Sequence, residues 1–367
     1  MQRARIHGGA TAGAALVVTA LSLAACSSSS SSGGATSSSS PSSGSSSAKI
    51  SGTLNGSGST FQLTFQQTAI AAFKQVQPNA TVNYGGGGSG KGVTDLASGT
   101  VQYAGSDSPI SPAQQPLFKG KTVLYFPVVI GPISMAYNLS GLSKPLQLTG
   151  PVIAQIFEGK ITSWNNSAIA ALNPGVTLPS TAITIAVRSD SSGTTNNFSK
   201  FLSKAAGSGW TLGTGSIIKW PSTARAASGN PGVAQVVKST PGAIGYVDYA
   251  TAKASGLSSA SVKNSAGTYV APSPASASAA ASHITPAADL TFSAIWAPGA
   301  DSYPITYQSW DLVHETQSSA TTAKALQAWI GYLIGSGGQG LLPGLGYAKV
   351  PSNIDTMAQA QLSKIGM

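Results

Sequence analysis

Apolar positions along the chain follow two spacings, which predict strands and helices in alternation. Strands are predicted from short apolar or β-branched runs at residues 49–54, 81–84, 101–104, 123–130, 183–187, 243–247 and 305–308. Helices are predicted where apolar side chains recur every three or four positions, at residues 61–76, at 89–97, after residue 195 and at 323–334. Pro78 should end the first helix, the glycines within residues 335–340 should end the last, and Pro127 should break the fourth strand.

A strand, a glycine-rich turn and a helix recur as a unit, which is typical of an α/β fold with a largely parallel sheet. Hydrophobic residues make up 41% of the 367 residues, enough for a sizeable core and for two domains of ordinary size. Residues 271–282 consist of Ala, Ser and Pro, and this low complexity predicts a surface loop.

The first 26 residues have the features of an export signal. Arg3 and Arg5 give a basic start, and residues 14–25 are apolar but short for a membrane span. Residues 23–26 read Leu-Ala-Ala-Cys, which is similar to the lipobox of bacterial lipoproteins. We therefore expect a signal peptide at 1–25, a diacylglycerol on Cys26 and a flexible Ser-rich tether to about residue 48. The alternative is a cleaved secretory signal that leaves a free cysteine.

Cysteine, histidine and charge content exclude several kinds of site. Cys26 is the only cysteine, so neither a disulfide framework nor a thiol–metal site is expected. His7, His283 and His314 are scattered, and no metal site or cofactor is predicted. The net charge is +10, but the lysines are dispersed and no basic stripe interleaves with aromatic residues, which argues against nucleic acid. The charge is compatible with a small anion or simply with solubility.

Three loops rich in Gly, Ser and Thr share one design, since each follows a predicted strand and opens a helix. They lie at residues 56–61, 88–92 and 191–195. A helix N-terminus offers free backbone N–H groups and partial positive charge, while glycine allows close approach and hydroxyls add donors. Converging loops would form an anion site, whereas ordinary helix capping explains any one loop alone.

The second loop is close to a nucleotide-binding P-loop in its spacing of Gly85, Gly90 and Lys91. Gly92 stands where a Ser or Thr would hold magnesium, and an exported protein has little access to ATP. Nucleotide binding is therefore not predicted. Lys91 either adds positive charge near a ligand or points to water.

Charged residues near the loops are candidates for anion recognition. Arg188 precedes the third loop, where its guanidinium could bind an oxyanion through two hydrogen bonds, and Asp190 could orient it. Asp107 is a carboxylate that accepts hydrogen bonds only, so it would repel an anion without a proton and favour monohydrogen phosphate over sulfate. The alternative for Asp107 is a helix cap or a turn residue.

The chain resembles the phosphate-binding proteins of ABC transporters over about residues 51–247. The matching segments, in family order, are 56–61, 83–93, 105–109, 126–131, 156–161, 172–175, 188–194, 219–221 and 241–247, with weaker matches at 303–306 and His314. The resemblance implies an α/β, two-domain periplasmic-binding-protein fold, type II-like, with the ligand in the interdomain cleft. Domain I would be residues 49–127 plus 305–367, and domain II residues 128–304. Gln62, where relatives often have proline, and Gly90-Lys91 depart from the family pattern.

The resemblance also implies a ligand set and a role. The ligands would be Thr60, Phe61 (through its amide), Ser89, Asp107, Arg188, Ser192, Gly193 and Thr194, with Asp190 as the partner of the arginine. The protein would bind inorganic phosphate without being an enzyme and would deliver it to the permease subunits of an ABC importer. It is expected to act as a monomer at the extracytoplasmic face of the cell membrane, anchored through Cys26.

Other functions stay open at this stage. The same fold could bind sulfate or molybdate, although Asp107 argues against dianions that lack a proton. An exported phosphatase would need a nucleophile with a base or a metal, and the histidines are poorly placed for either. A sensory or adhesive surface lipoprotein without a transport role also fits the sequence.

Overall fold

The computed structural model of the protein describes residues 50–367. The predicted signal peptide at 1–25, the lipidation of Cys26 and the tether to residue 48 lie outside these residues. Within residues 50–367, no helix combines the length and the hydrophobicity needed to cross a membrane.

The strands and helices of the described part alternate along most of its length. The strands are β1 (Gly52–Gly58), β2 (Ala80–Gly85), β3 (Tyr103–Ser106), β4 (Val123–Tyr137), β5 (Gln147–Leu148), β6 (Thr184–Arg188), β7 (Arg225–Ala227), β8 (Ala243–Asp248), β9 (Ser258–Ser259), β10 (Ser261–Lys263), β11 (Tyr269–Val270) and β12 (Thr306–His314). The helices are α1 (Leu63–Val76), α2 (Ser89–Ala97), α3 (Gly150–Phe157), α4 (Ser167–Leu172), α5 (Gly193–Ala206), α6 (Gly229–Ser239), α7 (Tyr249–Ala254), α8 (Pro274–Ala281), α9 (Ala320–Ile334), α10 (Ser336–Leu345) and α11 (Ser352–Gln361).

The main sheet is mixed, with strand order β2-β1-β3-β12-β4-β8-β6-β7, and β9 pairs with β4. β1 is parallel to β2 and β3, and β6 is parallel to β7 and β8. At the centre, β12 is antiparallel to β3 and β4, and β4 is antiparallel to β8. The α/β class is confirmed, but the prediction of a largely parallel sheet is wrong at its centre. At the centre, β12 lies beside β4 but runs back along it, so these two neighbouring strands point in opposite directions.

β4 is the strand that joins the two parallel groups. Its residues 123–132 pair with β12, and its residues 133–137 pair with β8. Pro127 does not break β4 as predicted, since it lies opposite Trp310 and the register shifts there, between Ser309 and Trp310. Such a bulge tolerates a residue that has no N–H to donate to the ladder.

Two segments that look unstructured in the sequence are helices. Residues 271–282 contain α8, which Ser273 caps through a capping box and in which Ala277 and Ala281 are buried against Ile130 of β4. Alanine has the highest helix propensity and its small side chain permits this close packing, so the predicted surface loop is wrong. Gly335 ends α9 as predicted, but the glycines after it belong to a further helix, because α10 starts at Ser336.

Aromatic pairs join helices to one another and to the sheet within one large buried core. Phe73 of α1 meets Trp329 of α9 edge to face, with ring centroids 5.1 Å apart. Phe198 of α5 stacks on Tyr246 of β8, with centroids 4.5 Å apart. Such pairs add to the free energy of burial, and the second pair holds α5 beside the carboxyl end of β8.

Candidate anion-binding site

The carboxyl ends of the two parallel strand groups face each other near the middle of β4. β3 ends at Ser106, opposite Trp310 of β12. β8 ends at Asp248, opposite Ile133 of β4. Ligands of α/β proteins bind at the carboxyl ends of strands, so the register alone marks this region as the candidate site.

The three glycine-rich loops converge in this region. The Gly90 amide donates a 3.0 Å hydrogen bond to the Ser191 carbonyl, which joins the second loop to the third. The Ser59 amide donates to the Gly105 carbonyl at 2.8 Å, and this bond joins the first loop to the end of β3. A Cβ at Gly193 would lie only 2.5 Å from Ser89 Oγ and 2.6 Å from the Asp107 Cβ, so the backbone at the start of α5 lies directly against side chains of the second loop and of the end of β3.

Asp107 lies where the loops meet, and its side chain is buried. Its Oδ1 accepts hydrogen bonds from the hydroxyls of Ser59 and Ser309, the second at 2.6 Å. Its Oδ2 faces Gly193 at the start of α5, since a Cβ there would lie 2.9 Å from that oxygen. Burial raises the pKa of Asp107 to about 6, although the hydroxyls and Arg188 act to lower it. The group is therefore mostly ionised at neutral pH and presents an acceptor to the site.

Arg188 is buried at the end of β6 and is held by Asp190. Its Nε donates to Asp190 Oδ1 at 2.8 Å, and its Nη2 donates to Oδ2. Burial acts to raise the pKa of Asp190, but the hydrogen bonds and charge of Arg188 lower it overall. Nη1 is directed to Thr194, where it donates to Oγ1 at 3.4 Å. The pair thus holds one edge of the guanidinium toward α5.

The remaining sequence-predicted residues differ in how their polar groups are engaged. Ser89 Oγ accepts the Asp107 amide at 3.1 Å, and Ser192 Oγ accepts the Thr195 amide at 3.1 Å as the cap of α5. The bond at Ser192 uses only a lone pair, so its hydroxyl proton stays available for a ligand. The Ser89 hydroxyl also lies at the Asp107 carboxylate, where its hydrogen bond acts to lower the pKa of that group. The Phe61 amide, in contrast, donates to Ser59 Oγ at 3.0 Å.

Lys91 does not belong to this cluster. Its Nζ forms an ion pair with Asp95 Oδ2 at 2.6 Å, one helical turn away, and its side chain is 55% exposed. Of the two possibilities open in the sequence, the position toward solvent is the observed one.

Residues from other elements complete the cluster, and the sequence reasoning missed them. Ser309 comes from β12, which carries no glycine-rich turn and gives no local signal. Asn230 opens α6, and its Nδ2 lies 3.3 Å from Oγ1 of both Thr60 and Thr194. Because α6 also follows a strand and begins at a glycine, the pattern that found the three loops could have found this fourth one.

Asp248 is the second buried carboxyl group of the cluster. Its Oδ1 accepts the Thr251 amide at 2.9 Å and caps α7. Its Oδ2 has no hydrogen-bond partner among the described residues. Burial raises the pKa of Asp248 to about 7, and the negative charge of Asp107 adds to this effect. A second buried carboxyl group, with a raised pKa and one unpartnered oxygen, therefore lies beside the loops.

The family model for the PBP superfamily domain matches residues 43–336. Phosphate-binding protein PstS 3 of Mycobacterium leprae is 36% identical over 84% of this chain and 86% of its own. The chain belongs to the PstS family of phosphate-binding proteins.

Solved structures that are similar to this PstS-family protein confirm the two-domain periplasmic-binding-protein fold. PfluDING, described as a high-affinity periplasmic phosphate-binding protein bound with phosphate, aligns with a TM-score of 0.70 at 21% identity and covers 84% of this chain and 94% of its own. A putative phosphate ABC transporter substrate-binding protein from Clostridium perfringens aligns with a TM-score of 0.60 at 16% identity, covering 82% and 100%. At these identities the structures establish the fold alone.

Proposed function

We propose that this protein captures inorganic phosphate outside the cytoplasm and hands it to an ABC importer. Membership of the PstS family supports this proposal, because the members of that family are phosphate-binding proteins rather than enzymes. The observation that carries the proposal is the position of Asp107, a buried carboxylate whose Oδ2 faces Gly193 among loops that otherwise offer donors. Such an acceptor suits an oxyanion that still bears a proton, which phosphate has at neutral pH and sulfate lacks.

The proposed ligand set is Thr60, the Phe61 amide, Ser89, Asp107, Arg188, Ser192, Gly193 and Thr194, with Asp190 holding the arginine. Hydroxyl and amide donors would bind the phosphate oxygens, while Asp107 would accept its proton. The Phe61 amide would have to share its hydrogen with Ser59 Oγ, which it contacts at 3.0 Å.

The proposed domains are residues 49–127 with 305–367, and residues 128–304, with phosphate bound between them. The change of partner along β4, from β12 at Pro132 to β8 at Ile133, supports a chain crossing in this part of the strand. Closure of the two domains around the anion would then present a loaded form to the permease.

Anchoring is also part of the proposal. Cys26 would carry the lipid, the Ser-rich tether would place a monomeric binding unit near the membrane, and the permease subunits would be its partner.

Calorimetric titration of the purified protein, freed of bound phosphate, tests the function. We expect tight one-to-one binding of phosphate and no heat with sulfate at pH 7.5. Equal binding of sulfate would show that the protein is not specific for phosphate and would favour a function in binding other oxyanions. The absence of binding to either anion would overturn the proposal. Turnover of a chromogenic phosphate ester would instead favour a phosphatase.

A further inference from the structure

Asn230 makes direct contacts with two of the proposed phosphate ligands. Its backbone amide donates to Thr60 Oγ1 at 3.1 Å, and its side-chain Nδ2 lies 3.3 Å from the same oxygen. The same Nδ2 lies 3.3 Å from Thr194 Oγ1. The residue is fully buried, so water does not compete for these contacts.

The orientation of the Asn230 amide is determined by its other contact. Its Oδ1 accepts the backbone N–H of Asp248 at 3.3 Å. A backbone N–H can only donate, so the oxygen of the amide must point to Asp248 and the NH2 group must point to the threonines.

The hydroxyl oxygens of Thr60 and Thr194 each accept two hydrogen bonds, so neither has a lone pair left for a ligand. A hydroxyl accepts two hydrogen bonds and donates one. Thr60 Oγ1 accepts both of its bonds from Asn230, and Thr194 Oγ1 accepts one from Asn230 and one from Arg188 Nη1 at 3.4 Å. Each oxygen can then act toward a ligand only through its own proton.

We propose that Asn230 is a positioning residue that sets the hydroxyls of Thr60 and Thr194 as donors toward the bound anion. This inference rests on the proposed function and deepens it, since it says why two neutral hydroxyls favour an acceptor-rich ligand such as phosphate. Asn230 acts through the threonines and need not touch the anion itself.

A double-mutant cycle measured by phosphate titration tests this role. We expect Asn230→Ala to weaken phosphate binding by about 10- to 100-fold, since two charge-assisted hydrogen bonds lose their preset geometry. In a Thr60→Val, Thr194→Val background the same substitution should change affinity by less than about threefold. An equal loss in both backgrounds, or no loss in either, would overturn the proposal.

Two further variants separate orientation from folding. Asn230→Asp keeps the shape and the acceptor toward Asp248 but replaces the NH2 donor by an acceptor, so the threonine protons should turn toward it and affinity should fall further than in Asn230→Ala. The matched control is Asn173→Ala, which removes a buried asparagine bonded to Gln147 and Ile169, outside the cluster. It should lower the melting temperature and leave phosphate affinity unchanged.

The outcomes distinguish the two proposals. A wild-type protein that binds no phosphate would refute the proposed function before any variant is made. A wild-type protein that binds phosphate, with Asn230→Asp weaker than wild type by no more than the Asn173→Ala control, would refute the positioning role alone.

Discussion

Replacing Asp107 by asparagine changes one atom at the point where a proton on the ligand would be recognised. The side chain is buried, and its Oδ1 accepts from Ser59 and Ser309 while Oδ2 faces the site. In Asp107→Asn the amide oxygen can keep the two serine contacts, which leaves the NH2 group toward the ligand. An acceptor thereby becomes a donor with little change in shape.

The expected magnitudes follow from hydrogen bonding and Coulomb's law. Phosphate would lose one charge-assisted hydrogen bond, worth about 1.5–3 kcal/mol, so its affinity should fall by about 10- to 100-fold. For sulfate, the wild-type carboxylate adds a repulsion of roughly 4 kcal/mol per pair of unit charges at about 4 Å and an effective dielectric constant of about 20. Removal of this repulsion should raise sulfate affinity by about 100-fold or more.

The assay is a titration of phosphate and sulfate into both proteins at pH 5 and pH 8. Because the pKa of Asp107 is raised to about 6, protonation below that value should also relieve the repulsion in the wild-type protein. Sulfate affinity of the wild type should therefore rise as the pH falls through 6, and that of Asp107→Asn should stay level. Unchanged selectivity in the variant, or a sulfate affinity of the wild type that does not depend on pH, would refute the role of Asp107.

Three other substitutions address the arginine, the loop contact and a buried carboxyl group. Arg188→Lys loses the two-point contact with Asp190, and phosphate titration should show a loss of about 100-fold with little change in fold. Gly193→Ala places a Cβ 2.5 Å from Ser89 Oγ, so thermal unfolding should report a loss of about 1–3 kcal/mol together with weaker phosphate binding. Asp311 is buried with its pKa raised to about 7, so the folded protein binds this proton more tightly than the unfolded chain does. Wild-type stability should therefore fall as pH rises from 4 to 7. Denaturant unfolding of Asp311→Asn over this range should show a flatter pH dependence, with a gain of roughly 2–4 kcal/mol at pH 7.5.

Control substitutions at unrelated positions give these measurements a reference. Gly340→Ala introduces a Cβ in a helix with no atom within 4 Å, so it should preserve both stability and binding, unlike Gly193→Ala. Lys91→Gln removes a positive charge that pairs with Asp95 near the surface, so phosphate affinity should change by less than about threefold. A large loss in Lys91→Gln would mean that long-range charge, rather than the buried contacts, controls affinity.

Local patterns were sufficient to find the elements that carry the three loops. Apolar spacing predicted helices at residues 61–76 and 89–97, and both agree closely with α1 (Leu63–Val76) and α2 (Ser89–Ala97). Glycine followed by a helix start identified the loops because the backbone freedom of glycine and the unpaired N–H groups of a helix start are local properties. The prediction of a surface loop at the Ala-rich residues 271–282 failed because low complexity does not prevent a helix when another element covers it. Here Ile130 of β4 packs against the alanines of α8.

Contacts between distant parts of the chain were beyond the reach of such patterns. Ser309 reaches Asp107 only because β12 returns to pair beside β3, 202 residues after Asp107. Asp248 is buried because β8 ends against the middle of β4, and its sequence neighbours do not distinguish it from an ordinary helix cap. These residues depend on strand order and register, which one sequence without homologues does not specify.

The packing of α8 has a practical consequence for anyone who would attach a reporter to this protein. A stretch of Ala and Ser invites use as a permissive insertion site for a tag or a fluorophore, yet α8 covers Ile130 through two buried alanines. An insertion there would separate the helix from the strand that runs through the binding region. Gly340 of α10 is the better attachment point, since it is exposed, its φ is not positive, and a side chain added there would meet no atom within 4 Å.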